Sequence, residues 1–173
     1  GEACITIASG APHLNGFTID GTEFDDEPDG DDPPVLLEIR AGSPRIEALE
    51  IRGADGIEIS GYGTGGTIVG CLIEGSDWGI SISDGASPRI ENNDLSRCDV
   101  AGIEIRDAAT NPLIRGNRVH DGQAGVVAFA GTRPRIEDNE IWGNAKAGIQ
   151  VGNADTKPFT RGNRIHDQEV GIY

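Results

Sequence analysis

"NPLIRGNRVHDG" (111–122), "RPRIEDNEIWGN" (133–144) and "KPFTRGNRIHDQ" (157–168) are three versions of one phrase. Each has a proline, an apolar or threonine residue two positions on, an asparagine five positions on, and isoleucine or valine two beyond that. The first and third carry arginine where the second carries acid. With the proline as anchor, the phrase also falls at Pro12, Pro44, Gly66 and Pro88, and successive anchors from Pro44 onward are 22 or 24 residues apart. A fixed period of this length is the mark of a repeat architecture.

Within each unit the apolar residues alternate, which places them on one buried face of short strands. One column reads Leu14, Ile46, Ile68, Ile90, Ile114, Ile136, Thr160 and a second Ile19, Ile51, Ile73, Leu95, Val119, Ile141, Ile165. A third runs Ile57, Ile80, Ile103, Val126, Ile149, Ile172 and a fourth Ile59, Ile82, Ile105, Ala128, Val151. Strands this short, punctuated by Gly, Asn and Asp, bury nothing alone; stacked, they form a continuous interior. The expected fold is all-β: a parallel β-helix of about seven coils about 4.8 Å apart. Residues 1–173 form its single domain, with an acidic insertion at 20–38. The column Phe17, Leu49, Cys71, Asn93, Asn117, Asn139, Asn163 is expected to point inward, its asparagines forming a hydrogen-bonded ladder. The alternating charges (Glu91, Arg115, Glu137, Arg161, and Asp94, Arg118, Glu140, Arg164) are expected to put each acid one coil from a base.

Composition agrees with this reading. Of 173 residues, 36% are hydrophobic and only 5% aromatic, with 26 Gly and no Met. That favours a core of small β-branched side chains over a helical bundle. A formal net charge of −15 argues against unaided binding to nucleic acid or anionic membrane. No run is long enough to span a bilayer and no signal peptide is visible, as in a processed or trimmed chain. Cys4, Cys71 and Cys98 do not cluster and read as free thiols, Cys71 in the core, which leans toward a reducing, cytoplasmic setting.

The repeats around "NPLIRGNRVHDGQAG", "PRIEDNEIWGNAKAGI" and "KPFTRGNRIHD" resemble right-handed parallel β-helix repeats of the CASH, pectin-lyase-like type, from Pro44 to Tyr173. They look most like the substrate-binding β-helix of certain F-box proteins and their prokaryotic relatives. The resemblance implies a right-handed solenoid and, by analogy with those relatives, a domain that recruits a protein. No helical F-box segment is present, so ligase recruitment is not implied. Related repeats also occur in polysaccharide lyases and epimerases, and fold alone does not choose among these.

Two outward stripes are candidate binding surfaces. Along one, His120, Trp142 and His166 succeed each other at coil spacing, with Asp121 and Asp167 beside the imidazoles. The two histidines are expected about 10 Å apart with the indole between them. Such an exposed indole suits a sugar ring or a cationic side chain; alternatively His-Asp only shapes the turn. The second stripe contains Glu104, Val127 and Gln150, where Val127 and nearby Phe129 are apolar at positions expected to be exposed. Asp20 to Glu38 holds nine acids and no base, and Asp25, Asp26, Asp29, Asp31 and Asp32 are candidate oxygen ligands for calcium. Their spacing does not match an EF-hand, and a solvated loop is the competing reading. No catalytic motif stands out, and no cofactor is required. The leading expectation is a noncatalytic module binding a protein or peptide along the β-helix side. The alternatives are a glycan-binding or polysaccharide-modifying β-helix with calcium at the acidic loop, and a self-stacking rod associating end to end through its strand edges.

Overall fold

A computed structural model describes residues 3–22 and 34–173. The chain winds as a parallel β-helix with three faces, referred to here as sheets A, B and C. Sheet A has eight strands, from Ile5–Ile7 to Val170–Ile172; sheets B and C have seven each, starting at His13–Asn15 and Thr18–Asp20. After the leading A strand the chain runs B, C, A seven times, giving coils 1 to 7, and every pairing is between neighbouring coils and parallel. The two end segments, around Ile5 and Ile172, both join sheet A.

All four apolar columns stack in register: Ile90 pairs with Ile68 and Ile114, Leu95 with Ile73 and Val119, Ile103 with Ile80 and Val126, and Ile105 with Ile82 and Ala128. Residues such as Ile46, Ile73, Ile80 and Ile114 have no exposed surface. Burying each such side chain contributes about 1.5–3 kcal/mol, and the columns form one core along the axis.

The asparagine column turns the corner from sheet B to sheet C as a ladder. The Asn117 side chain accepts at Oδ1 from the Asn93 backbone N–H and Nδ2, both at 3.0 Å, and donates from Nδ2 to Ile90 O at 2.8 Å and Asn139 Oδ1 at 3.0 Å. Asn93 and Asn139 repeat the pattern, and Cys71 N–H donates to Asn93 Oδ1 at 2.9 Å, so the ladder also serves the last apolar rung. Leu49 and Cys71 are buried as expected. Phe17 is not: it is 38% exposed, because coil 1 lacks a described coil outside it to cover the ring.

Beside the ladder, one residue per coil takes the left-handed conformation: Gly70, Asn92, Gly116, Asp138 and Gly162 in turn. A Cβ on Gly116 would lie 2.5 Å from Asn92 Oδ1, and one on Gly162 would collide with Asp138 Oδ1. A polar side chain leaning over the corner therefore requires glycine in the next coil. This steric pairing accounts for the Gly of "RGNR" alternating with the Asp of "EDNE".

The charges pair less uniformly than the sequence implies. Arg118 reaches Asp94 at 3.0 Å and Arg164 reaches Glu140 at 2.6 Å, across coils as expected. Glu91 and Glu137 instead pair with Arg89 and Arg135 on their own strands, both at 2.6 Å, and Arg115 reaches Asp138 at 3.4 Å. Side chains two apart on a strand share a face, so an "Arg-Ile-Glu" strand satisfies its acid locally. The same local pair at Arg45–Glu47 holds the Glu47 carboxyl below the usual range.

Two further columns complete the coil. Thr64, Thr110, Thr132 and Thr156, each two residues before the anchor, are buried at the corner from sheet A to sheet B. Thr110 and Thr156 accept from Gly85 and Gly131 N–H at 2.9 and 3.0 Å. Gly56, Gly79, Gly102, Gly125 and Gly148 are each the second residue of a sheet A strand. A Cβ there would meet a neighbouring coil's glycine carbonyl or an interior side chain, such as Ile141 Cγ2 at 2.5 Å from Gly125.

Candidate functional site

The outer face of sheet C carries the aromatic stripe. The three residues occupy equivalent positions on neighbouring strands of coils 5 to 7, with His120 paired to Trp142 and Trp142 to His166. Rings held at one inter-strand spacing stack. The His120 and Trp142 centroids are 4.1 Å apart at 7°, and those of Trp142 and His166 6.1 Å apart at 6°. The Arg118 guanidinium carbon sits 5.3 Å from the indole centroid. His120 bridges Asp94 Oδ1 at Nε2 and Asp121 Oδ2 at Nδ1, both at 2.8 Å, and His166 Nδ1 meets Asp167 Oδ2 at 2.7 Å.

The stripe is thus assembled as its spacing predicts, but the indole is half-buried with an imidazole against each face. A sugar ring stacking on Trp142 would have to displace one of them. Asp121 and Asp167 lie at left-handed turn positions, φ 57° each, and orient the imidazoles, so the turn-forming and side-chain roles of "HD" coexist.

The outer face of sheet A carries the second stripe. Glu38, Glu58, Ser81, Glu104, Val127 and Gln150 form one row across coils 1 to 6. Glu104 is only 9% exposed, with its carboxylate taken by Ser81 Oγ at 3.2 Å and Arg106 at 3.5 Å. Glu38 is similarly buried, bonded by Thr6 Oγ1 at 3.3 Å and by Arg40. Beyond Glu104 the row loses its charge: Val127 and Gln150 are half-buried, and with Val100, Ala124, Gln123, Asp99 and Lys146 they line an open depression of about 280 Å³. Val100 is 42% exposed. It was not in the sequence-derived stripe because it belongs to the corner between sheets C and A, a position where the coils differ in length.

A second depression, about 390 Å³, adjoins it and is lined by Arg97, Cys98, Asp99, Asp121, Gly122, Gln123 and Ala145. Cys98 offers no nucleophile there: burial pushes its thiol up to about 12, and burial likewise raises Cys71. Among the described residues no three His, Cys, Asp or Glu side chains are grouped to hold a metal ion. The calcium candidates Asp25, Asp26, Asp29, Asp31 and Asp32 lie outside the described residues. Among the described residues no helix is long and apolar enough to cross a membrane.

Comparison with curated proteins and with solved structures gives no match. The family model described as "Right handed beta helix region" matches residues 37–173, the part of the chain that carries coils 2 to 7. The stacked columns, the parallel three-sheet winding and this match together establish that the chain belongs to the right-handed β-helix family.

Proposed function

We propose that this domain is a noncatalytic recognition module that binds a protein or peptide along sheet A. The observation that carries the reading is the change in the outer row of that sheet. Its carboxylates at Glu38 and Glu104 are buried in ion pairs, and at Val127 the row becomes apolar beside the exposed Val100. An apolar notch rimmed by Asp99, Gln123, Lys146 and Gln150 has the composition of a contact surface, with apolar centre and polar edge. The glycan reading is weaker on geometry, since both faces of the Trp142 indole are occupied.

The test is selection of a phage-displayed library of linear peptides on the intact chain. Peptides enriched on the wild type and not on Val127→Asp support the module. Failure to enrich any peptide, together with glycan-array binding that is lost in Trp142→Ala, replaces it with the carbohydrate reading.

A further inference from the structure

The outer face of sheet A carries one acid that its neighbours do not explain. Glu58 lies in the same row as Glu38 and Glu104 and is half-buried. Each of those two acids has a hydroxyl and an arginine. Glu58 has neither a hydrogen bond nor an ion pair among the described residues. Arg40, whose guanidinium feels the Glu58 charge, is committed to Glu38.

One coil further on stands Trp78, half-buried, its indole Nε1 without a partner. Trp78 pairs with Ala101, and the same register continues to Ala124 and Ala147. Of that row, Ala124 lines the apolar depression beside Val127. The outer row from Val127 through Glu104 and Ser81 to Glu58 runs along the axis from this depression to the unpaired carboxylate. At one end stands the Glu58 carboxylate and at the other the apolar notch, with Lys146 on the notch's rim.

The geometry points to an extended peptide segment crossing the outer face of sheet A, with an apolar side chain in the Val100–Ala124–Val127 notch and a lysine or arginine against Glu58. This rests on the recognition-module reading and names its partner chemistry. The Glu58 carboxylate, without an ion pair among the described residues, is complementary to a cationic side chain. Lys146, on the rim of the notch, repels a cation there and so sets which end of the occupant lies at the notch. Charge favours the same partner, since the protein carries a formal net charge of −15.

The spacing follows from the register. Val127 and Glu58 are three coil steps apart through Glu104 and Ser81. At about 4.8 Å per coil that is about 14 Å, or about four residues of extended chain at about 3.3 Å each. An even separation puts both side chains on one face of the peptide, so the recognised pattern is an apolar residue and a basic residue four apart.

Fluorescence anisotropy with three labelled decapeptides in a Gly/Ser/Thr background tests this: Leu-x3-Lys, Leu-x3-Glu and Ser-x3-Lys. Wild type is expected to bind the Leu/Lys peptide at least tenfold tighter than either other. Glu58→Gln is expected to reduce the Lys-over-Glu preference to under threefold while keeping the Leu-over-Ser preference; Val127→Asp does the reverse. Circular dichroism of each variant controls for folding. A Lys-over-Glu preference unchanged by Glu58→Gln overturns the proposed partner chemistry. So does failure of all three peptides when the phage library still yields binders sensitive to Val127→Asp, and in both cases the module itself stands. If neither the decapeptides nor the library bind, both readings fall.

Discussion

Replacing Asn117 by alanine tests the ladder at its centre. The substitution removes four side-chain hydrogen bonds. It strands the Asn93 backbone N–H, one Asn93 amide hydrogen and the Ile90 carbonyl, all in a corner where Asn93 and Asn117 are 1% and 0% exposed. A buried polar group left unpaired costs about 1–3 kcal/mol. Three such groups put the loss at about 3–6 kcal/mol after partial relaxation, against a total stability of about 5–15 kcal/mol for a typical domain. Asn163→Ala is the internal control. It removes the same kind of bonds to Asn139 and Ile136, but Asn163 is half-buried, so water reaches the corner and the loss should be about 1 kcal/mol. Urea unfolding followed by far-UV circular dichroism measures both. Equal midpoint shifts for the two variants, or a loss under about 1 kcal/mol for Asn117→Ala, would refute the view that the ladder's value lies in satisfying buried backbone.

Gly125→Ala should destabilise by more than about 2 kcal/mol, since the new methyl meets backbone and a packed isoleucine with nowhere to move; thermal unfolding measures it. Gly116→Ala should cost about 1–2 kcal/mol from its left-handed backbone, φ 65°, plus the clash with Asn92 Oδ1. Adding Asn92→Gly should recover the clash component, and a double-mutant cycle showing strict additivity would contradict the steric pairing. Thiol labelling should modify Cys4 rapidly in the native protein and leave Cys71 and Cys98 unreacted until denaturant is added. With its thiol near 12, Cys98 is about one part in ten thousand thiolate at pH 8. The folded state holds that proton more tightly than the unfolded chain, so its contribution to stability is full below about pH 9 and is lost as pH rises through about 12.

The sequence alone determined the period, the four apolar columns, the asparagine ladder and the placing of His120, Trp142 and His166 on neighbouring coils. These follow from alternation and from backbone pairing at one fixed spacing, so a residue's coil number and offset already give its row. The threonine column was equally legible in "TNP", "TRP" and "TKP", and the glycine column in "AGI", but their purpose was not: a missing Cβ shows its reason only when the neighbouring coil is in place. Tertiary structure alone decided which partner each charge takes, that imidazoles cover both faces of Trp142, that Phe17 stays exposed, and that Glu58 alone of the three acids in its row lacks a hydrogen bond or ion pair among the described residues. Several partners lie within reach of a long side chain on a stacked sheet, and the choice among them depends on corner geometry and local packing, which a one-dimensional repeat does not encode.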